Sequence, residues 1–208
     1  MSKKVTIYDT TLRDGMQGIE INYSLNDKIQ IAHELDNLKI DYIEGGFPLS
    51  NEKEAAFFER AKKENFKHAK IVSFGSTRRP GKKASEDANT RALVEAETPA
   101  AIVVGKTWKA HVDKVLKTTP EENLEMIYDS IAYLKSEGRE AMLDLEHFFD
   151  GYKDDPEYAV QVLKAGTSAG AECLVLCDTN GGTLPHDVAR IVQDVVQHPK
   201  QEVNIRGG

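Results

Sequence analysis

Short apolar runs of strand length recur along the chain, at Val5 to Tyr8, Tyr42 to Phe47, Lys70 to Phe74, Ala100 to Val104, Ala141 to Leu145 and Cys173 to Cys177, with a weaker one at Glu202 to Ile205. Between them the apolar residues fall at helical spacing instead, as in Leu25, Ile29, Ala32, Leu35 and Leu38 or Leu124, Ile127, Ile131 and Leu134. Strand and helix alternate throughout, and that alternation predicts parallel strands joined by crossover helices. The helices carry their own start and stop signals. Ser24 with Asp27 three residues later resembles a capping box. Thr119-Pro120-Glu121-Glu122 supplies a cap, a proline in the first turn and an early glutamate, and Gly138 supplies the stop. Asp155-Pro156 opens a further helix through Ala159, Val162 and Leu163, and Gly170 closes it.

No low-complexity linker or shift in composition divides residues 1–208, so the pattern reads as a single domain. A length of 208 residues is enough for a real core but falls short of the roughly 250 of a complete eight-stranded α/β barrel. The net charge of -7 argues against nucleic acid or an anionic membrane as partner and leaves small molecules. Met1-Ser2-Lys3-Lys4 leads into the first strand without a long apolar segment, which predicts a cytoplasmic location. Arg78-Arg79-Pro80-Gly81-Lys82-Lys83 is the one basic cluster, read as a solvated turn, with contact to coenzyme A phosphates as the alternative. Cys173 and Cys177 lie four apart on one predicted strand, roughly 13 Å between alpha carbons, too far to pair, and read as buried structural thiols.

The richest chemistry follows the first apolar run, in Asp9-Thr10-Thr11-Leu12-Arg13-Asp14-Gly15-Met16-Gln17. Arg13 offers a fixed fork of donors to an oxyanion or carboxylate, and Asp14 offers a hard oxygen to a divalent metal. The same pair could instead bridge a strand to the next helix. Further polar residues stand at the ends of other predicted strands: Glu44 on the second, Glu146 and His147 at the fifth, Asp178, Thr179 and Asn180 at the sixth. Polar groups at the C-terminal ends of several strands are how a barrel assembles an active site. Each has a plainer reading beside it. Glu44 could pair with a buried arginine, His147 could be a packed and hydrogen-bonded ring, and Gly45-Gly46 could admit a ligand or merely let a strand bend. Trp108 and His111 are equally ambiguous and carry no assignment.

Five blocks taken together resemble the alpha-isopropylmalate, homocitrate and citramalate synthase family, metal-dependent acyl-CoA condensing enzymes built on a TIM barrel. They are the Asp9–Gln17 stretch, Tyr42-Ile43-Glu44-Gly45-Gly46-Phe47-Pro48, Ser73-Phe74-Gly75-Ser76-Thr77-Arg78-Arg79, Asp144-Leu145-Glu146-His147-Phe148-Phe149-Asp150-Gly151-Tyr152 and Leu176-Cys177-Asp178-Thr179-Asn180-Gly181-Gly182-Thr183-Leu184-Pro185. The fourth block is most similar to the citramalate synthase branch. The resemblance implies a Claisen condensation of acetyl-CoA with a 2-oxo acid, pyruvate giving citramalate, in branched-chain amino-acid biosynthesis. Isopropylmalate or homocitrate synthesis, a metal-dependent lyase or aldolase of the same superfamily, and a non-catalytic fragment are the alternatives. It further implies a divalent metal (Mg, Mn or Zn) with Asp14 as its carboxylate ligand, Arg13 stabilising the developing alkoxide, Glu146 as a second catalytic group, and Gln17, Glu44 and Thr179 with Arg13 around the substrate. A homodimer is implied for the full-length enzyme.

One departure stands out. Members of the family carry a His-x-His pair at the end of strand seven, where this chain reads Val203-Asn204-Ile205-Arg206-Gly207-Gly208. Arg206 and Gly208 occupy the two histidine positions, and a guanidinium cannot replace a neutral imidazole as a ligand. The expectation is therefore the N-terminal portion of a TIM-type barrel, six to seven of eight strands, inactive alone or completed by a partner chain.

Overall fold

Strand and helix alternate along the chain as the pattern predicts, and each crossover returns the chain to the same sheet. The computed structural model describes residues 5–197 and the backbone of Ile205 and Arg206. The strands are β1 (Tyr8–Asp9), β2 (Tyr42–Gly46), β3 (Lys70–Ser76), β4 (Ala100–Lys106), β5 (Glu140–Glu146), β6 (Cys173–Leu176) and β7 (Ile205–Arg206). All pair in parallel, in sequence order, with β4 and β5 in register from Ala100 opposite Glu140 to Lys106 opposite Glu146. The helices are α1 (Leu25–Asn37), α2 (Glu52–Ala61), α3 (Ala88–Glu95), the short α4 (Lys109–His111), α5 (Pro120–Ser136), α6 (Phe148–Asp154), α7 (Pro156–Ser168) and α8 (Pro185–Gln197). A π-helical turn, Val112–Leu116, continues α4. Among the described residues no helix is long and apolar enough to cross a membrane.

Two apolar layers follow from the period of two along each strand. One set of alternating residues, Val72, Ala100, Ile102, Met142 and Cys173 with Tyr8, Phe74 and Val175, forms the interior of a curled sheet. The other set, including Ala101, Val103, Leu143, Leu145, Leu174 and Leu176, packs beneath the helices against Ile127, Ile131, Leu134, Val162, Leu163 and Ile191. Burial of both faces is what makes the strands read as continuous apolar runs. The result is a TIM-type barrel wall of seven described strands, open between β1 and β7 among the described residues.

The caps lie where the sequence puts them. Ser24 and Asp27 complete a reciprocal capping box on α1. Thr119 accepts from the Glu122 N–H at the start of α5, and Asp155 accepts from the Tyr158 N–H at the start of α7. Gly138 and Gly170 take positive φ values just past the ends of α5 and α7, where glycine carries no Cβ penalty. Gly45 and Gly46 belong to a register shift between β2 and β3. A Cβ on Gly45 would lie 2.4 Å from the Phe57 ring, and one on Gly46 would meet the Glu54 carboxylate. These glycines bend and pack the strand.

Two expectations need correction. The first strand is shorter than Val5 to Tyr8: Val5 and Ile7 are solvent-exposed, and Ile7 is held through the side chain and backbone of Asp41 before pairing begins at Tyr8. The basic cluster is not a solvated turn throughout. Arg78 is 4% exposed and held by Glu122 and Asp129, while Arg79 pairs with buried Asp87. Of the weak seventh run, Ile205 pairs with Leu174 and Arg206 with Val175, whereas Glu202, Val203, Asn204 and Gly208 lie outside the described residues.

Candidate active site

The loop after β1 folds on itself through its own polar groups. The Asp9 carboxylate accepts from the backbone N–H and hydroxyl of Thr11, and the Thr10 carbonyl accepts from the N–H groups of both Arg13 and Gly15. This tight turn puts Arg13 over the C-terminal mouth of the curled sheet and leads into a 3-10 turn ending at Gln17. A cavity of about 890 Å³ opens there, and its lining includes Arg13, Asp14, Gln17, Glu44, Glu146 and Thr179. Every residue expected to act in catalysis, substrate binding or metal binding therefore borders one space.

Arg13 is held on three sides. Its Nε donates to Glu44, its Nη1 donates to Asp14 at 3.0 Å, and its guanidinium carbon lies 4.0 Å from the centre of the Phe74 ring. Burial works against its charge, but Glu44 and Asp14 keep it above the usual arginine range. Glu44 is 1% exposed; burial pushes its carboxyl up, and Arg13 and the Tyr8 hydroxyl oppose that rise. The plainer sequence reading of Glu44, a partner for an arginine, is the geometry found, although Arg13 is half-buried and not buried. Tyr8 in turn is pushed well above its usual range by burial and by Glu44. This triad fixes one cation at the cavity wall.

Deeper in the cavity stand Asp144 and Cys177. Burial raises the Asp144 carboxyl, and the Cys177 thiol donates to it; burial and then Asp144 push that thiol up strongly. Cys173 is buried in the sheet interior and Cys177 is half-buried just past the end of β6, and both border the cavity. The expectation of two buried structural thiols thus holds for Cys173 and is corrected for Cys177.

At the far rim Glu146 pairs with Lys106. His147 follows in the left-handed region, φ 52°, its N–H donating to the Thr179 hydroxyl at 2.8 Å and its ring nitrogen Nδ1 lying 3.1 Å from Asp150. Asp150 also accepts from Asn180, while Asp178 accepts from the backbone and hydroxyl of Thr183 and so shapes its own turn. Asp178 and Asn180 therefore shape the loop, and Asp178 and Thr179 both line the cavity. Asp14 is exposed and bonded to Arg13, and among the described residues it belongs to no group of three metal-type ligands at coordinating distance. The described residues do not make a metal centre at Asp14.

Sequence reasoning gave no role to Tyr8, Phe74, Lys106, Asp144 or Cys177, all of which touch this constellation. The signal for four of them was parity. Tyr8, Phe74, Asp144 and Cys177 sit at inward positions of strands or just beyond, and inward polar residues near a strand's C-terminal end face the cavity.

The HMGL-like family model matches residues 4–206. The (R)-citramalate synthase of Aquifex aeolicus is 56% identical over 200 residues, 96% of this chain and 38% of the relative. That of Sulfolobus acidocaldarius is 49% identical over 204 residues, 98% of this chain and 39% of the relative. Matched 2-isopropylmalate synthases fall to between 30% and 32% identity. This chain thus spans under two fifths of the curated synthases it matches. Among solved structures, the HMG-CoA lyase of Bacillus subtilis superimposes with a TM-score of 0.78 at 20% identity, over 98% of this chain and 68% of that one. That likeness shows the fold, a partial TIM barrel with helices outside. On the match to nearly its whole length, the chain belongs to the HMGL-like family.

Proposed function

We propose that this chain carries the keto-acid half of an acyltransferase site that condenses acetyl-CoA with pyruvate to give citramalate. The observation that supports it most is the clamped guanidinium of Arg13 at the mouth of a cavity whose opposite rim holds Thr179 and Glu146. The citramalate synthases similar to this chain support pyruvate as the 2-oxo acid.

In the reaction, the acetyl methyl group loses a proton and its carbon attacks the pyruvate carbonyl carbon. The keto oxygen becomes an alkoxide and then a hydroxyl, and water cleaves the thioester to release coenzyme A. Arg13 donates to the keto oxygen and gains strength as charge develops there, because its fork is already aimed and partly dehydrated. Glu44, itself held by the Tyr8 hydroxyl, and Asp14 hold that fork in one orientation at the cavity wall. The Thr179 hydroxyl accepts from His147 and has its own proton free for the substrate carboxylate. Glu146, tethered by Lys106, stands at the rim as a proton-handling group, and Gln17 completes the lining beside Asp14. Asp14 acts here as the second anchor of Arg13, and no step is assigned to a metal.

Calorimetric titration of the chain with pyruvate tests this reading. Arg13→Gln, which leaves a shorter, neutral amide and removes the charged fork, is expected to weaken binding by about tenfold or more, the loss of one charge-assisted contact. Thr179→Val is expected to weaken it as well without touching Arg13. Pyruvate affinity unchanged from the parent in both variants, or no pyruvate binding by the parent chain, would defeat the proposal.

A further inference from the structure

We propose that His111, Glu146 and His147 form a divalent-cation site at the cavity rim, separate from Asp14, that selects ions favoured by imidazole, such as Zn²⁺, Co²⁺, Ni²⁺ or Cu²⁺. The site lies where α4, following β4, passes the C-terminal end of β5. One ligand atom from each of the three side chains lies within 4.8 Å of the other two. Atoms bound to one such ion at about 2.0–2.2 Å stand roughly 3–4 Å apart, so small side-chain rotations close the set. Two imidazoles and one carboxylate suit these ions and not Mg²⁺ or Ca²⁺, which take oxygen.

The surroundings prepare the ligands. Asp150 faces Nδ1 of His147 and is itself held by Asn180, an arrangement that puts the ring proton on Nδ1 and leaves the Nε2 lone pair for a metal. The His111 ring packs edge-on to His147 with centroids 4.6 Å apart and lies 5.0 Å from Trp108. Among the described residues it makes these ring contacts and no hydrogen bond, so its nitrogens need not break one to bind. The competitor is Lys106, whose ammonium occupies the Glu146 carboxylate. An arriving cation displaces it, and Lys106 therefore sets the affinity. Because Glu146 would be withdrawn from Lys106, an ion here changes the rim that the proposed reaction uses. The inference goes beyond that reading, and its test does not depend on turnover.

The metal-free chain is titrated with Co²⁺ and then Ni²⁺, following the cobalt visible absorption and the fluorescence of Trp108, the single tryptophan. His111→Phe keeps the ring packing and deletes the ligand. His147→Asn keeps a residue that tolerates the left-handed backbone. Each is expected to weaken Co²⁺ binding by about tenfold or more, with far-UV circular dichroism unchanged. Lys106→Met is expected to tighten it severalfold, and Asp14→Asn to leave it as it is. Co²⁺ binding that survives both histidine changes, or that follows Asp14 instead, overturns the site. A Lys106→Met chain that binds no tighter overturns coordination through Glu146, and equal affinity for Mg²⁺ overturns the imidazole assignment.

Discussion

Asp144 illustrates what a single buried carboxyl does to this molecule. Burial raises its pKa, which means that the folded chain disfavours its charged form. Between the ordinary carboxylate value and the raised one, the folded state binds more protons than the unfolded state, so this group's contribution to stability falls as pH rises through that window. Asp144→Asn removes the charge while keeping an acceptor for the Cys177 thiol. The expected outcome is a higher Tm than the parent at pH 7.5, by about 2–4 °C per kcal/mol recovered. The difference shrinks toward pH 4, and thermal melts at both values check it. Asp144 opens the Asp144–Tyr152 block, yet nothing in its sequence neighbours distinguishes it. Arg13, Asp14, Glu146 and Thr179 were legible because charged or polar residues interrupt apolar strand ends. Asp144 and Cys177 were not, because each lies inside an apolar run, Ala141 to Leu145 and Cys173 to Cys177, where the side of the sheet a residue faces depends on register. Lys106 was hidden for a related reason: the run Ala100 to Val104 ends before it, while the strand continues to it.

At the scale of elements, α1 and α2 are joined by one buried ion pair beside the bend in β2. Lys28 is fully buried, its ammonium 2.7 Å from Glu54 and 4.8 Å from the centre of the Phe57 ring. A charge pair of this kind costs dehydration and is sustained by its partner, so removing one member leaves the other stranded. Lys28→Met is expected to lower the unfolding free energy by about 3–5 kcal/mol in urea titration. The double change Lys28→Met with Glu54→Leu is expected to restore most of that loss, and failure of the restoration would show that Lys28 matters through packing alone. Helices α1, α5 and α7 were readable to within a residue or so, because Ser24, Thr119 and Asp155 cap them by local chemistry. The pair was unreadable, since Lys28 and Glu54 each look like ordinary solvent-facing positions of their own helices. Arg78 escaped in the same way: the partners that bury it, Glu122 and Asp129, arrive from α5 far along the chain.

For the molecule as a whole, the single-domain reading of the sequence becomes a proposal with a simple check. We expect one cooperative urea transition, with coincident curves from Trp108 fluorescence at the cavity rim and far-UV circular dichroism from all the helices. Two separated curves would mean that the β1–β3 and β4–β6 regions unfold independently. The pairing of the described strands in strict sequence order bears on how such a sheet is built. Every new strand docks on its immediate predecessor, so each contact closes a loop of only one or two helices and their connections. Long-range searches are avoided, and assembly can advance from the first strand while later residues are still being synthesised. The same order leaves one unpaired edge advancing at every stage, which makes the pace of chain growth, and not the final stability, the quantity that governs how long a sticky strand stays exposed.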